Sequence, residues 1–191
     1  MAIQPSNLYS HLEGVLFDQI TIRERVAEMG AEISREFSGA EEGLSIIAVL
    51  QGGALFMADL IREIHLPLHL DSISVASYHG GTSSSGTITF NQSRLPEVAG
   101  RDVLVLDDIL DTGRTLAAIT SRLREECNPR SVRSAVLLSK KIERSVDFEA
   151  DYVGFEVGDE FVVGYGLDYR GKYRNLPLIG VLKPEHIEAP V

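Results

Sequence analysis

Apolar residues along this chain occur in short runs that alternate between two kinds of spacing. Continuous apolar runs cut off by polar or Gly-rich residues are typical of buried parallel strands. Mainly apolar runs of this kind occur at residues 44–50 and 103–106, and strand-like runs that include polar residues occur at 72–78 and 132–139. Between them, apolar residues recur at helical spacing. Strands that alternate with helices predict an α/β fold with a mainly parallel central sheet flanked by helices.

Three stretches carry the helical spacing. The first is expected to begin at Thr21, because Thr21 and Glu24 have the spacing of a capping box. The second covers 55–64 and is closed by Pro67, and the third covers 115–127. Residues 141–182 contain short strand-like runs and no helical pattern. We expect a single domain, 1–191, with a core of about 20–140 and a small hood formed by 141–182 and the leader 1–19.

The most informative segment joins the third apolar strand to the third helix, with the sequence DDILDTGRT at 107–115. Asp107 and Asp108 follow the apolar run, where the carboxyl ends of strands in open α/β sheets meet their ligands. Thr112, Gly113 and Thr115 then offer backbone N–H groups and hydroxyls at a helix start, which suits a phosphate. Carboxylates beside such a turn predict a ribose-phosphate site, although Asp111 and Thr112 could also simply cap the helix.

This segment resembles the phosphoribosyl-pyrophosphate (PRPP) signature of the type I phosphoribosyltransferases. A second stretch, DEFVVGYGLDY at 159–169 followed by Arg174, resembles the purine-binding segment of the 6-oxopurine branch, the hypoxanthine-guanine phosphoribosyltransferases. The two motifs stand in the family's order. The resemblance implies purine salvage, in which a purine ring nitrogen displaces pyrophosphate from PRPP and gives IMP or GMP.

The resemblance also implies roles for the acidic residues. Asp107 and Asp108 would contact the ribose hydroxyls and Mg²⁺, the implied cofactor, and Asp168 would contact Mg²⁺ beside the purine. Asp111 would act as the catalytic general acid/base near N7 of the base. The family usually has Glu at position 107, so the shorter Asp107 is a departure from its pattern.

The remaining roles divide among the phosphates, the base and a flap. Backbone and hydroxyl groups of Asp111, Thr112, Gly113, Arg114 and Thr115 would bind the 5′-phosphate. The loop of Gln51, Gly52 and Gly53 would bind pyrophosphate with Arg174, and Gln51 stands where some members carry a cation. Lys140 would donate to the 6-oxo group, which an ammonium favours over a 6-amino group. Phe161 would stack on the purine, the Val162 backbone would read its C2 edge, and Ser77 and Tyr78 would begin a mobile flap.

Composition narrows the choice of partners. The formal net charge of −10 argues against nucleic acid or an anionic membrane as a partner. Cys127 is the only cysteine and no apolar signal core or membrane-length run is visible, so a cytoplasmic location is expected. His65 and His69 do not predict a metal site, because Pro67 breaks the helix between them. The family implies a homodimer or homotetramer.

Two alternatives stay open at this point. One is a regulator that binds PRPP without turnover, and the other is a phosphoribosyltransferase for another base such as xanthine or a pyrimidine. The retained Asp111 and Asp168 favour an enzyme over a regulator. The sequence does not rank hypoxanthine, guanine and xanthine, because these bases differ at C2, where backbone groups read them.

Overall fold

A six-stranded sheet forms the centre of the computed structural model, which describes residues 7–40, 42–77, 88–91 and 94–187. The strand order is β4-β3-β2-β5-β6-β7; every neighbouring pair is parallel except β3 and β4. This confirms the α/β fold with a mainly parallel sheet. The strands are β2 (Leu44–Leu50), β3 (Leu68–Ser77), β4 (Ile88–Phe90), β5 (Asp102–Leu110), β6 (Ser131–Lys140) and β7 (Tyr152–Val157).

Helices cover both faces of this sheet. They are α1 (Gln19–Glu36), α2 (Gly53–Glu63) and α3 (Arg114–Cys127). Alternate residues of β2 point to opposite faces: Ile46 packs with α1 and α2, and Ile47 packs with α3. Because β2 is buried on both sides, its sequence is apolar at every position except Ser45 instead of alternating.

Helix α1 begins two residues before the expected position. Its N-cap is Asp18, whose carboxylate accepts a hydrogen bond from the Thr21 N–H at 2.8 Å. The expected start at Thr21 is therefore wrong, since Thr21 already lies in the first turn. An acidic N-cap at this position satisfies an otherwise unpaired helical N–H group.

A second, antiparallel sheet forms the hood, and it consists of β1 (Leu12–Phe17), β9 (Ile179–Leu182) and β8 (Val162–Val163) in that order. The leader thus contributes a strand that the sequence pattern did not reveal. The expectation that the hood begins after Lys140 is wrong for 152–157, because β7 pairs with β6 at the edge of the central sheet. The Arg25 side chain bonds the carbonyls of Val153 and Gly154 at 2.8 and 2.9 Å and ties this edge to α1.

Two short 3₁₀ turns, Asn7–His11 and Pro184–His186, flank the hood sheet. Among the described helices, the longest is α1, and none is long and apolar enough to cross a membrane.

Candidate active site

The acidic pair lies inside strand β5 and not beyond its end. Pairing of β5 with β2 stops at Leu106, whereas pairing with β6 continues to Leu110. The expectation that the strand ends at Leu106 is therefore wrong by four residues. On the β2 side, the last residues of β5 lack a strand neighbour, so this edge of Asp107 and Asp108 is left for the loop that follows β2.

The loop of Gln51, Gly52 and Gly53 lies directly against the acidic pair. A Cβ atom on Gly52 would lie 1.8 Å from the Asp108 Oδ2, and one on Gly53 would lie 3.3 Å from the Asp107 Cα. Glycine at position 52 is thus required by contact and not by its backbone angles, which are helical. The peptide bond between Leu50 and Gln51 is cis. The structure brings the expected pyrophosphate loop directly onto the expected ribose and metal carboxylates.

Both carboxylates are held in an environment that disfavours their charge. Burial raises the pKa of Asp107 well above its usual value, and the neighbouring charge of Asp108 raises it further. Burial likewise raises the pKa of Asp108, although hydrogen bonds and the nearby Arg174 act in the opposite direction. A cation or a set of hydroxyl donors at this position would relieve the unfavourable burial of two adjacent acids.

The phosphate turn follows immediately. Gly113 is the N-cap of α3 with φ +82°, a left-handed conformation that favours glycine. No side chain caps the helix, so the helix-capping alternative for Asp111 is not what the structure shows. Asp111 and Thr112 are exposed, and the turn and the end of β5 together enclose a cleft of about 60 Å³. Free N–H groups at this helix start can meet an anion.

Arg174 connects the hood to the acidic pair. Its guanidinium forms an ion pair with Asp168 at 2.6 Å and donates to the carbonyl oxygen of Gly166 at 2.5 Å. Gly166 has φ +101°, and a Cβ there would lie 2.4 Å from the carbonyl oxygen of Gly52. The hairpin that carries Asp168 and Arg174 is therefore packed against the pyrophosphate loop.

The residues expected to bind the base lie at the end of β6 and at the start of β8. Lys140 ends β6, only 14% of its side chain is exposed, and its ammonium lies 3.3 Å from the Asp159 carboxylate. Phe161 is 40% exposed, unusual for an aromatic residue beside a strand, and meets Tyr169 edge-on with ring centroids 5.4 Å apart. The Val162 side chain is buried, which leaves only its backbone for a ligand.

Some expected residues are not brought into this cluster. In the part of the chain that the structure describes, no three acidic, histidine or cysteine side chains are arranged to hold a metal ion. Asp168 is thus not joined to Asp107 and Asp108 as a third ligand and instead pairs with Arg174. Ser77 is the last residue of β3, and Tyr78, the second expected flap residue, lies outside the described residues.

The sequence analysis missed Arg144. Its guanidinium lies 3.4 Å from the carbonyl oxygen of Asp111 and 3.1 Å from the hydroxyl of Ser139. No motif pointed to it, because it lies in an irregular segment between β6 and β7 whose contacts depend on the folded chain. Tyr169 and Asp159 were seen only as parts of the second motif, and neither had been assigned a role.

Residues 16–170 match the phosphoribosyl transferase domain family, which covers most of the chain. The chain belongs to the phosphoribosyltransferase family. Within that family, it is 43% identical over 178 residues to a hypoxanthine-guanine phosphoribosyltransferase of Staphylococcus aureus strain Mu50, covering 93% of this chain and 98% of that protein. The resemblance found in the sequence is thereby confirmed.

Two further comparisons place the chain in the same group. A crystal structure of a hypoxanthine phosphoribosyltransferase from Staphylococcus aureus superposes with a TM-score of 0.90 at 41% identity, covering 98% of this chain and 100% of that one. The chain is also 42% identical over 179 residues, 94% of its length, to the bifunctional protein TilS/HprT of Listeria monocytogenes serotype 4b. It spans only 27% of the length of that bifunctional relative.

Proposed function

We propose that this protein is a purine-salvage enzyme that transfers the 5-phosphoribosyl group from PRPP to hypoxanthine, guanine or both. The products are IMP or GMP and pyrophosphate. The observation that carries the proposal is the contact of Gly52 with Asp108 beside the Gly113 turn. This contact supports the proposal because it joins the loop that we assign to pyrophosphate to the acid that we assign to ribose, just before the turn that we assign to the 5′-phosphate. The 43% identical relative supports the choice of base.

In the proposed mechanism, the bond from ribose C1 to pyrophosphate breaks and a bond from C1 to a purine nitrogen forms. Positive charge develops on the ribose in between, and the carboxylates of Asp107 and Asp108 would stabilise it electrostatically. Asp111, exposed at the mouth of the cleft, accepts the proton that the purine loses. We assign Arg174 to the departing pyrophosphate, since it pairs with Asp168 on the hairpin that packs against Gly52 through Gly166.

Magnesium fits the acidic pair. Mg²⁺ usually keeps several waters and is held by one or two carboxylates together with substrate phosphates, and not by a complete protein cage. Asp107 and Asp108, buried next to each other with raised pKa values, form such a partial donor set. We assign them the contact with the cation, and Asp168, which pairs with Arg174 in this structure, would contribute a further carboxylate. When bound, the cation would neutralise charge on pyrophosphate.

The choice of base is assigned to Lys140 and Phe161. The Lys140 ammonium can only donate hydrogen bonds. It can therefore bond to a 6-oxo group, which accepts, but not to a 6-amino group, which donates. Asp159 keeps this ammonium in place at 3.3 Å. The exposed face of Phe161 can stack on the purine while Tyr169 supports its edge.

The setting of the enzyme completes the proposal. We assign it to the cytoplasm, where the free thiol of Cys127 would stay reduced. We also propose a homodimer or homotetramer, since exposed apolar side chains such as Val15 and Ile20 lie near each other in sequence at the junction of β1 and α1.

The test is to identify the products. The protein is incubated with PRPP, Mg²⁺ and hypoxanthine or guanine, and the mixture is separated by chromatography. We expect IMP or GMP and pyrophosphate in equal amounts. Binding of PRPP without any nucleotide product would contradict the proposal. A parallel incubation with a pyrimidine base would then separate a regulator, which forms no product, from a pyrimidine phosphoribosyltransferase.

A further inference from the structure

The segment that follows β6 folds back over the phosphate turn, and Arg144 is its central contact. Only 14% of the Arg144 side chain is exposed. Its guanidinium donates to the carbonyl oxygen of Asp111 at 3.4 Å and to the Ser139 hydroxyl at 3.1 Å. A mostly buried arginine needs such partners, because an unpaired guanidinium would lose its hydration without compensation.

Glu149 fixes the orientation of this guanidinium. Its two carboxylate oxygens accept from Nε and Nη2 of Arg144, each at 3.2 Å. This two-point arrangement fixes the plane of the guanidinium in a way that a single charge could not. The remaining nitrogen, Nη1, is thereby directed at the backbone of Asp111.

Two further contacts from the same segment reach the turn. The Ser145 N–H donates to the carbonyl oxygen of Thr112 at 3.2 Å. Val146 and Phe148 pack so close to Gly113 that a Cβ there would lie 3.1 and 3.3 Å from their side-chain atoms. Segment 144–149 therefore contacts three successive residues of the turn, Asp111, Thr112 and Gly113.

These contacts determine where the N–H groups of the turn point. In a trans peptide unit the carbonyl and the following N–H lie in one plane and point in opposite directions. Holding the Asp111 carbonyl therefore directs the Thr112 N–H away from Arg144, and holding the Thr112 carbonyl directs the Gly113 N–H away from Ser145. Both N–H groups are turned towards the opposite side, where the 5′-phosphate is expected.

We propose that Arg144 is a positioning residue, which orients the phosphate-binding N–H groups of the turn through the Asp111 carbonyl without touching the substrate. The inference rests on the proposed function of the turn as the 5′-phosphate site. It assigns to Arg144 a share of nucleotide affinity that depends on the phosphate alone. The nucleoside, which lacks that phosphate, gains nothing from Arg144.

The experiment compares IMP with inosine. Dissociation constants of both are measured by calorimetry for the wild type and for Arg144→Gln. We expect IMP binding to weaken by about tenfold or more, the range for hydrogen bonds involving charged groups, and inosine binding to change less than about twofold. The KM for PRPP should rise with the IMP dissociation constant, and Arg144→Lys should recover part of the loss.

A matched control is available on the same segment. Lys141→Met removes a cation that pairs with Glu156 of β7 at 2.6 Å, so it should leave both affinities unchanged. An unchanged ratio of IMP to inosine affinity in a folded Arg144→Gln protein would overturn the inference. So would an equal loss for both ligands, which would indicate general damage to the site.

Folding is checked by thermal melting of each variant. If Arg144→Gln does not fold, Glu149→Gln decides, because it loosens the guanidinium without removing it. It should weaken IMP binding alone, and an unchanged IMP affinity would count against the inference. A wild-type protein that neither binds IMP nor turns over PRPP would remove the proposed function itself, whereas an active wild type with an unaffected Arg144→Gln removes only the role of Arg144.

Discussion

Replacing Gly52 by alanine tests whether the loop after β2 and the acidic pair form one site. The backbone of Gly52 is helical, with φ −57° and ψ −48°, so alanine meets no conformational penalty there. The added Cβ, however, would lie 1.8 Å from Oδ2 and 2.4 Å from Cγ of Asp108. The whole effect of this substitution must therefore come from a collision with that carboxylate.

The size of the displacement follows from these distances. Non-bonded heavy atoms settle at ~3.5 Å, so either the loop or the Asp108 carboxylate must move by more than ~1 Å. Asp108 cannot turn away freely, because its Oδ1 accepts from the Ile109 N–H at 2.9 Å. Misplacement by about 1 Å can cost ~10²-fold in rate, so we expect kcat/KM for PRPP to fall by at least that factor. Overpacking should also destabilise the fold by ~1–3 kcal/mol.

The assay is steady-state IMP formation with PRPP varied, alongside thermal melting. Two other glycine substitutions serve for comparison. A Cβ on Gly53 would meet the Leu106 carbonyl oxygen at 3.1 Å, a tight contact but far less severe than 1.8 Å, so Gly53→Ala should lose less activity than Gly52→Ala. Gly39 has nothing within 4 Å and Gly39→Ala should behave as the wild type. A folded Gly52→Ala protein with kcat/KM near the wild-type value would refute the reasoning.

Three further substitutions test the acids and the base site. Burial raises the pKa of Asp107, so the folded protein holds a proton on this residue at pH values where the unfolded chain has released it. The contribution of Asp107 to the free energy of unfolding is therefore fully present at acidic pH and is lost as pH rises through the folded pKa. Asp107→Asn should therefore raise the stability of the ligand-free protein at pH 8 by ~1 kcal/mol or more, with the difference vanishing below about pH 4, and melting curves of equal stability at pH 8 would contradict this. Asp111→Asn should lower kcat by ~10²–10⁴-fold with an unchanged melting temperature, and near-normal turnover would remove its role as the acid/base. Lys140→Met should raise the KM for hypoxanthine by about tenfold or more while leaving the KM for PRPP unchanged, and an unaltered KM for the base would show that the ammonium does not read it.

Local pattern was sufficient for most strands of the central sheet, although not for β7, and for the segments that carry the proposed site. The apolar run before Asp107 and the Gly-rich turns are each determined by a few adjacent residues, so the sequence displays them directly. The predicted end of β5 was wrong because Asp107 and Asp108 are polar residues inside a strand. In this part of β5 the strand continues through its pairing with β6 alone. Two adjacent acids inside a strand depart from the usual composition of a buried strand, as is expected at a functional site.

Contacts between distant segments could not be predicted in this way. The place of β7 depends on its pairing with β6, and the leader strand β1 depends on β9, more than a hundred residues away. The role of Arg144 depends on how an irregular segment folds back on the turn, which no spacing in the sequence encodes. The sequence motifs therefore predict the residues proposed to bind substrate, whereas contacts that hold those residues in place, such as those of Arg144, are seen only in the structure.

The most direct measurement is the rate of nucleotide formation from PRPP and Mg²⁺ with hypoxanthine, guanine, xanthine and adenine compared in parallel. We predict turnover with hypoxanthine or guanine and little with adenine, since the Lys140 ammonium can donate to a 6-oxo group but not to a 6-amino group. Equal turnover of adenine and hypoxanthine would contradict the assignment of the base site, and no turnover with any purine would contradict the proposed activity itself.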